Sequence, residues 1–276
     1  MIYSKRTGVK DVFQKQIGNS ILEVSHKLIE RPNKSVYFNH IHNHCEMLLF
    51  ISGEADYNID GKIFTPSPYD LLFVPAATYH YLIPTASVPY ENYVIGVDPS
   101  FIDESHYEKL FSPPLMISVK DDRELMGYFS RLDYYSANYS KADFDLCAAA
   151  LIRELITYCG YRKDELNSAH SGSLALIEEM IKFISDNIEK PLDAETVARR
   201  FSLSKSYVQN IFSQNMHIGL KKYIIQKKIY AAHSDIVRGE NPGSVCEKYS
   251  FGDYSVFYRT YKNTFGVSPK AYVKKS

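Results

Sequence analysis

Three histidines and a glutamate alternate along His40-Ile-His42-Asn-His44-Cys-Glu46. Successive side chains of a strand point to opposite faces, so His40, His42, His44 and Glu46 share one face if this segment is extended. Imidazole and carboxylate groups held together suit a metal such as Fe, Mn, Ni or Zn. They equally suit hydrogen bonding to a small polar ligand, or to one another in a purely structural role. A second set of apt residues lies far along the chain. After Ser204, helical spacing turns Val208, Ile211 and Phe212 inward and Ser206, Gln209, Asn210 and Ser213 outward. Further on, Phe257, Tyr261 and Phe265 turn inward, and Ser255, Tyr258, Arg259 and Lys262 outward. Gln and Asn can pair bidentately with adenine and Arg with guanine, each good pair giving about 1–3 kcal/mol of discrimination between base pairs.

The outward residues need a scaffold, and the sequence writes one twice. Thr196–Phe212 and Ser244–Tyr261 each place a small residue (Ala198, Cys246) four positions before a turn serine (Ser202, Ser250), with an aromatic between them (Phe201, Tyr249). An apolar helical face follows in both. This is a helix-turn-helix pattern, whose second helix enters the major groove. A long helix is expected from about Ile218 to Arg238, stopped by Gly239 and Asn241-Pro-Gly243, and it sets the two units near the ~34 Å of one DNA turn. A helix over Ser173–Glu189, carrying Leu176, Ile177, Met180, Ile181, Ile184 and Ile188 at helical spacing and ended by Pro191, precedes the first unit. A short helix after Pro269 closes the chain. The competing reading is a helical bundle with polar solvent faces; the duplication argues against it.

The histidine cluster needs a different scaffold. Short apolar or alternating runs at Ser35–Asn39, Glu46–Ile51, Ala55–Ile59, Asp70–Val74 and Tyr93–Val97 are separated by turn residues. Asp60-Gly61, between Tyr57-Asn-Ile59 and Lys62-Ile-Phe64, is a strong hairpin signal, because glycine supplies the positive φ of such turns. Many short strands point to a small barrel or sandwich. The pattern turns helical over 121–138 and 141–160. On the second of these, Leu146, Ala149, Ala150, Ile152, Leu155 and Ile156 form an apolar stripe that packs on the barrel, dimerises, or does both. Residues 162–172 are polar and read as a linker.

Composition sets bounds on these readings. The chain has 276 residues, 45% hydrophobic and 23% charged, room for about two globular domains. The formal net charge of zero conceals an asymmetry. From residue 173 onward, 16 Lys and Arg face 10 Asp and Glu; the preceding part holds 16 against 22. A basic C-terminal module suits a polyanion. The four cysteines, Cys45, Cys147, Cys159 and Cys246, show no Cys-x-x-Cys pattern and read as reduced core thiols. No signal core and no apolar run near the roughly 18 residues of a membrane helix is visible, so no membrane and a cytoplasmic location are expected.

Residues 173–276 resemble the DNA-binding domain of the AraC/XylS family of transcription activators. Phe251-Gly-Asp-Tyr-Ser-Val-Phe257 and Tyr261-Lys-Asn-Thr-Phe-Gly-Val-Ser-Pro269 carry the likeness, the ending Phe265-Gly266-x-Ser268-Pro269-x-x-Tyr272 best of all. Tyr223, Ile229 and Ala232 match the family's linker helix, with Lys228 where arginine is usual. The resemblance implies base-reading roles for Ser206, Gln209 and Asn210, and for Tyr254, Ser255, Tyr258 and Arg259. Ser202 and Ser250 stand where the family has a turn glycine, and His217 where the first unit ends in glycine. The second copy is the closer match and the expected source of specificity.

The spacing His-x-His-x3-Glu-x6-Gly, with the later Pro75-x-Ala-x-x-His80, resembles the two motifs of cupin barrels, with Tyr69 and Ala77 at usual glycine positions. By that resemblance the metal or effector ligands are His40, His42, Glu46 and His80. Together these readings give an N-terminal all-β cupin-like barrel with flanking helices and a C-terminal all-α domain with two helix-turn-helix units. The expected division is 1–118 effector-sensing, 119–161 dimerisation, 162–172 linker and 173–276 DNA-binding. The expected function is a sequence-specific regulator, an activator, that answers a small polar metabolite such as a sugar held among Tyr57, Tyr69, Tyr79, Tyr81, Tyr90 and Tyr93. Its expected partners are double-stranded promoter DNA, RNA polymerase and a second copy of the chain. No cofactor is required, though the barrel admits a divalent metal. The alternative is a cupin-type metalloenzyme with an accessory helical domain.

Overall fold

The structure, a computed structural model, describes residues 9–18, 21–32, 40–85, 87–163, 171–173 and 175–272. The expected strand at Ser35–Asn39 and most of the expected linker lie outside them. Contacts divide the chain into two compact units, Met1–Gly172 and Ser173–Ser276.

The first unit is built on antiparallel strands: β1 (Val9–Ile17), β2 (Ile21–Ile29), β3 (Cys45–Ser52), β4 (Ala55–Ile59), β5 (Lys62–Phe64), β6 (Asp70–Val74), β7 (His80–Pro84), β8 (Tyr90–Val97) and β9 (Leu115–Ser118), with the short β10 (Ser171–Ser173) at its C-terminal boundary. They form a six-stranded sheet in the order β1-β2-β8-β3-β6-β9 and a four-stranded sheet in the order β10-β5-β4-β7. The β4–β5 hairpin turns at Asp60 (φ 45°) and Gly61 (φ 83°), and the Asn58 side chain accepts from the Gly61 amide at 2.9 Å.

Alternation along the six-stranded sheet gives it two apolar faces. Leu48, Phe50, Leu72, Val74, Tyr90 and Val94 turn toward Tyr57, Ile59, Phe64 and Leu82 of the other sheet. Met47, Leu49, Leu71, Phe73, Tyr93 and Ile95 turn the other way, against α1 (Glu104–Phe111), α2 (Arg123–Asn138) and α3 (Lys141–Arg162). The buried face of α3 is Phe144, Ala148, Leu151, Ile152, Leu155, Ile156 and Cys159. Leu146, expected in that stripe, is 73% exposed, and Ala150 is exposed too; the helix docks about one residue step round from the expected face. Tyr93 also joins this helix-side core rather than the space between the sheets. Its ring stacks on His26 at 3.9 Å, and its hydroxyl donates to Asp133 of α2. His26 completes the clasp, with Nδ1 at 2.9 Å from Asp133 and Nε2 at 2.7 Å from Glu91.

The second unit is helical: α4 (Ala175–Asp186), α5 (Ala194–Arg200), α6 (Lys205–Met216), α7 (Leu220–Val237), α8 (Pro242–Lys248), α9 (Tyr254–Phe265) and a final 3-10 turn, Pro269–Tyr272. Local chemistry starts each helix of the doubled motif. Asp193 accepts from Thr196 N at 2.7 Å, Ser204 from Tyr207 N at 3.2 Å, Asn241 from Gly243 N at 2.8 Å and Asp253 from Val256 N at 3.0 Å. Such caps satisfy amides that have no partner within the helix.

Candidate nucleic-acid interface and imidazole cluster

The two helix-turn-helix units close in the same way. After α5, Leu203 N donates to Ala198 O at 3.0 Å; after α8, Phe251 N donates to Cys246 O at 3.1 Å. This six-to-one bond requires a left-handed residue just past the helix. Ser202 (φ 56°) and Ser250 (φ 54°) fill that place, and His217 (φ 51°) does the same after α6. The strain of non-glycine residues at the family's glycine positions is therefore present.

The inward faces are set by Val208 and Phe212 on α6 and by Phe257 and Tyr261 on α9, all fully buried. Ile211 and Phe265, expected to be buried, are half-buried. Ser206, Gln209 and Asn210 lie exposed on α6, and Tyr254, Ser255, Tyr258, Arg259 and Lys262 on α9. Ser213, expected outward, is half-buried and donates to Asn210 O at 3.1 Å. Sequence reasoning passed over Tyr207 and Val256, exposed by 48% and 44% near the starts of the two reading helices. Surplus apolar residues in the first turn of such helices were the available signal, because an apolar group there can meet a thymine methyl.

The imidazole cluster assembles differently from the single strand expected. Only Glu46 stands on β3; His40 makes an isolated bridge with His80, and residues 41–44 are not strand. The loop nevertheless brings donor atoms of His40, His42, Glu46 and His80 within 4.8 Å of one another. His42 Nε2 lies 2.9 Å and His44 Nε2 3.5 Å from Glu46 Oε1, and His80 Nε2 lies 3.4 Å from Oε2. His44, outside the four-residue set, stacks flat on His42 at 3.6 Å. It fits because the facing residue on β8 is glycine: a Cβ at Gly96 would sit 2.9 Å from His44 Cδ2. Tyr69 (φ 71°) and Ala77 (φ 55°), at the cupin glycine positions, adopt the left-handed backbone.

Electrostatics follow from burial. Burial opposes charge on Glu46, yet attraction and hydrogen bonding from His42, His44 and His80 outweigh it and hold the carboxyl well below its usual range. Burial dominates at His42 and lowers its pKa; at His80 burial is outweighed by Glu46, and the pKa is raised. Each of these rings is anchored through Nδ1, His42 to His44 O at 3.0 Å and His80 to Thr78 O at 2.9 Å. A carbonyl partner makes Nδ1 a donor and fixes the ring so that Nε2 faces the carboxylate. Both Nε2 atoms are buried and face the Glu46 carboxylate, at 2.9 Å from His42 and 3.4 Å from His80. Tyr57 Oη and Asn92 Oδ1 are buried without a hydrogen-bond partner.

Known proteins resemble each unit. An AraC-like ligand binding domain matches residues 27–155, and a helix-turn-helix domain family matches residues 197–275. The multiple antibiotic resistance protein MarA of Escherichia coli is 31% identical over 97 residues, which are 35% of this chain and 76% of MarA. The chain belongs to the AraC family of transcription regulators. The Msm operon regulatory protein of Streptococcus mutans is 27% identical over 131 residues, 46% of this chain and 44% of that protein, so less than half of that relative is spanned. Among solved structures, ToxT from Vibrio cholerae aligns with 92% of this chain and 98% of its own, at 14% identity and a TM-score of 0.39. An AraC-family chain with a ligand-binding domain is a DNA-binding regulator and not an enzyme, so the metalloenzyme alternative falls. No helix among the described residues is long and apolar enough to cross a membrane.

Proposed function

We propose that this AraC-family regulator acts in the cytoplasm as an activator that recruits RNA polymerase when its first unit binds a small polar metabolite. Dimerisation through α2 and α3 is part of the same reading. What carries the DNA half is the duplicated unit, with Gln209 and Asn210 exposed on one reading helix and Tyr258 and Arg259 on the other. Two such units in one chain engage successive major grooves without a partner. A gel-shift titration of the full chain on duplex DNA tests this. Binding that weakens steeply with salt is expected; no duplex binding at low salt refutes it.

The metabolite is read by His40, His42, Glu46 and His80, with Tyr57 and Asn92 further along the same interior. Buried polar atoms without partners are costly, and a hydroxyl-rich ligand such as a sugar satisfies them. A second reading rests on the grouping of donor atoms. The imidazoles of His40, His42 and His80 beside the Glu46 carboxylate would form a donor set for a divalent ion of the Mn, Fe, Ni or Zn type, the ion displacing any proton on Nε2. Such an ion would offer an open coordination position to the metabolite. Metal analysis of purified protein, with and without His42→Ala, separates the readings.

A further inference from the structure

Three hydrogen bonds stitch the approach to the first helix-turn-helix to the turn of the second. Lys228, midway along α7 and buried, donates to Lys190 O at 2.7 Å and to Tyr249 O at 2.8 Å. Ser250 Oγ donates to Glu189 O at 2.6 Å. Lys248 adds a looser ion pair with Glu189, at 3.9 Å. Tyr249 O is at the C-terminal end of α8, where carbonyls lack helical partners and carry partial negative charge. A buried ammonium between this carbonyl and Lys190 O holds both segments with charge-assisted bonds, stronger than neutral ones.

Beside these bonds the seam holds a cleft of about 370 Å³, between Pro191, Asp193 and Thr196 on one side and Phe251, Val256 and Thr260 on the other, floored by Ile224 and Lys228. Beyond this strap, α7 and its flanking turns are the covalent link between the units. That 18-residue helix is about 27 Å long, and helices of such length curve gently rather than run straight.

We propose that Lys228 and Ser250 are positioning residues. Their strap fixes the separation and rotational phase of α6 and α9, and so makes the protein selective for the number of base pairs between its two half-sites. Ser250 then has a purpose at its strained position: the hydroxyl a glycine would lack forms one of the three bonds. The proposal rests on both units engaging one duplex.

The test uses the full-length chain and a duplex that it selects from a randomised library. Versions of that duplex carry one or two base pairs inserted or deleted between the half-sites. Each base pair turns the second half-site by about 35° and moves it about 3.4 Å. Wild type is expected to bind the shifted duplexes at least about tenfold more weakly, a factor of ten being about 1.4 kcal/mol. Lys228→Met is expected to shrink that ratio to about threefold or less, and Lys228→Arg to restore it. A merely structural role lowers affinity for all spacings alike and leaves the ratio intact; that outcome overturns the proposal. If Lys228→Met does not fold, Ser250→Gly decides by the same ratio. Wild type indifferent to spacing refutes the two-groove reading together with the strap, whereas spacing selectivity that survives in the variants refutes the strap alone.

Discussion

Replacing Ser202 by glycine should stabilise the DNA-binding unit, while the equivalent change at Ser250 should not. Both serines are left-handed, at φ 56° and 54°. That conformation costs an L-residue roughly 1–2 kcal/mol. Glycine escapes the cost but brings a more flexible unfolded chain, a penalty of about 0.4–1 kcal/mol. The net gain at Ser202 is about 0.5–1 kcal/mol. At Ser250 the same gain is offset by loss of the 2.6 Å bond to Glu189 O, a bond worth about 0.5–1.5 kcal/mol net. The Ser250→Gly change should therefore be close to neutral. Urea unfolding of residues 173–276, followed by circular dichroism, reads the difference. With a slope near 1.2 kcal/mol per molar, Ser202→Gly should raise the midpoint by about 0.4–0.8 M. A lowered midpoint for Ser202→Gly, or a larger rise for Ser250→Gly than for Ser202→Gly, refutes the reasoning.

Arg259→Ala should cost about 1–3 kcal/mol on the preferred duplex and relax preference at one base pair, seen by titrating single-base-pair variants. Lys221→Ala or Lys222→Ala should weaken all sequences alike and reduce the salt slope by about one each, measured over a salt series. His42→Ala should abolish any stoichiometric Mn, Fe, Ni or Zn found by elemental analysis, while leaving duplex binding by the second unit in place. His26 gives a pH prediction. Burial opposes its charged form, but Asp133 and Glu91 outweigh it and raise its pKa above the ordinary value. Its stabilisation is therefore full below the unfolded value of about 6.5 and is lost as pH rises through the higher folded value. His26→Gln should flatten that fall in thermal unfolding of the first unit; an unchanged pH profile counts against the clasp.

The helical half was legible because its signals are local. The repeated turn serines, the stop at Gly239 and apolar residues at helical spacing place α5 to α9 within about two residues, although Asn241-Pro-Gly243, expected only as a breaker, also starts α8. The hairpin at Asp60-Gly61 was legible for the same reason. The first strand was not, because register shifts between Asp11 and Phe13 and between Lys15 and Ile17 break the alternation that marks a strand. The helix α1 escaped notice because it has eight residues and buries only Leu110 and Phe111; the signal available was Asp103 capping the His106 amide. The imidazole cluster was found for a reason that was partly mistaken. Alternation grouped His40, His42 and His44 with Glu46, whereas it is a loop, the bridge to His80 and a gap at Gly96 that gather them. Side-chain pattern carries no record of how a loop returns. The strap was illegible for a related cause: the partners of Lys228 and Ser250 are backbone carbonyls, which every residue has.

The strand β8 serves two neighbourhoods at once. At Gly96 it gives His44 the room to lie against His42; three residues earlier, about 10 Å along the strand, Tyr93 points the other way and grips Asp133 of α2. A methyl group at position 96 would press on the far end of the His44 ring, so the strand that anchors α2 through Tyr93 also sets how close the stacked imidazoles come to the sheet.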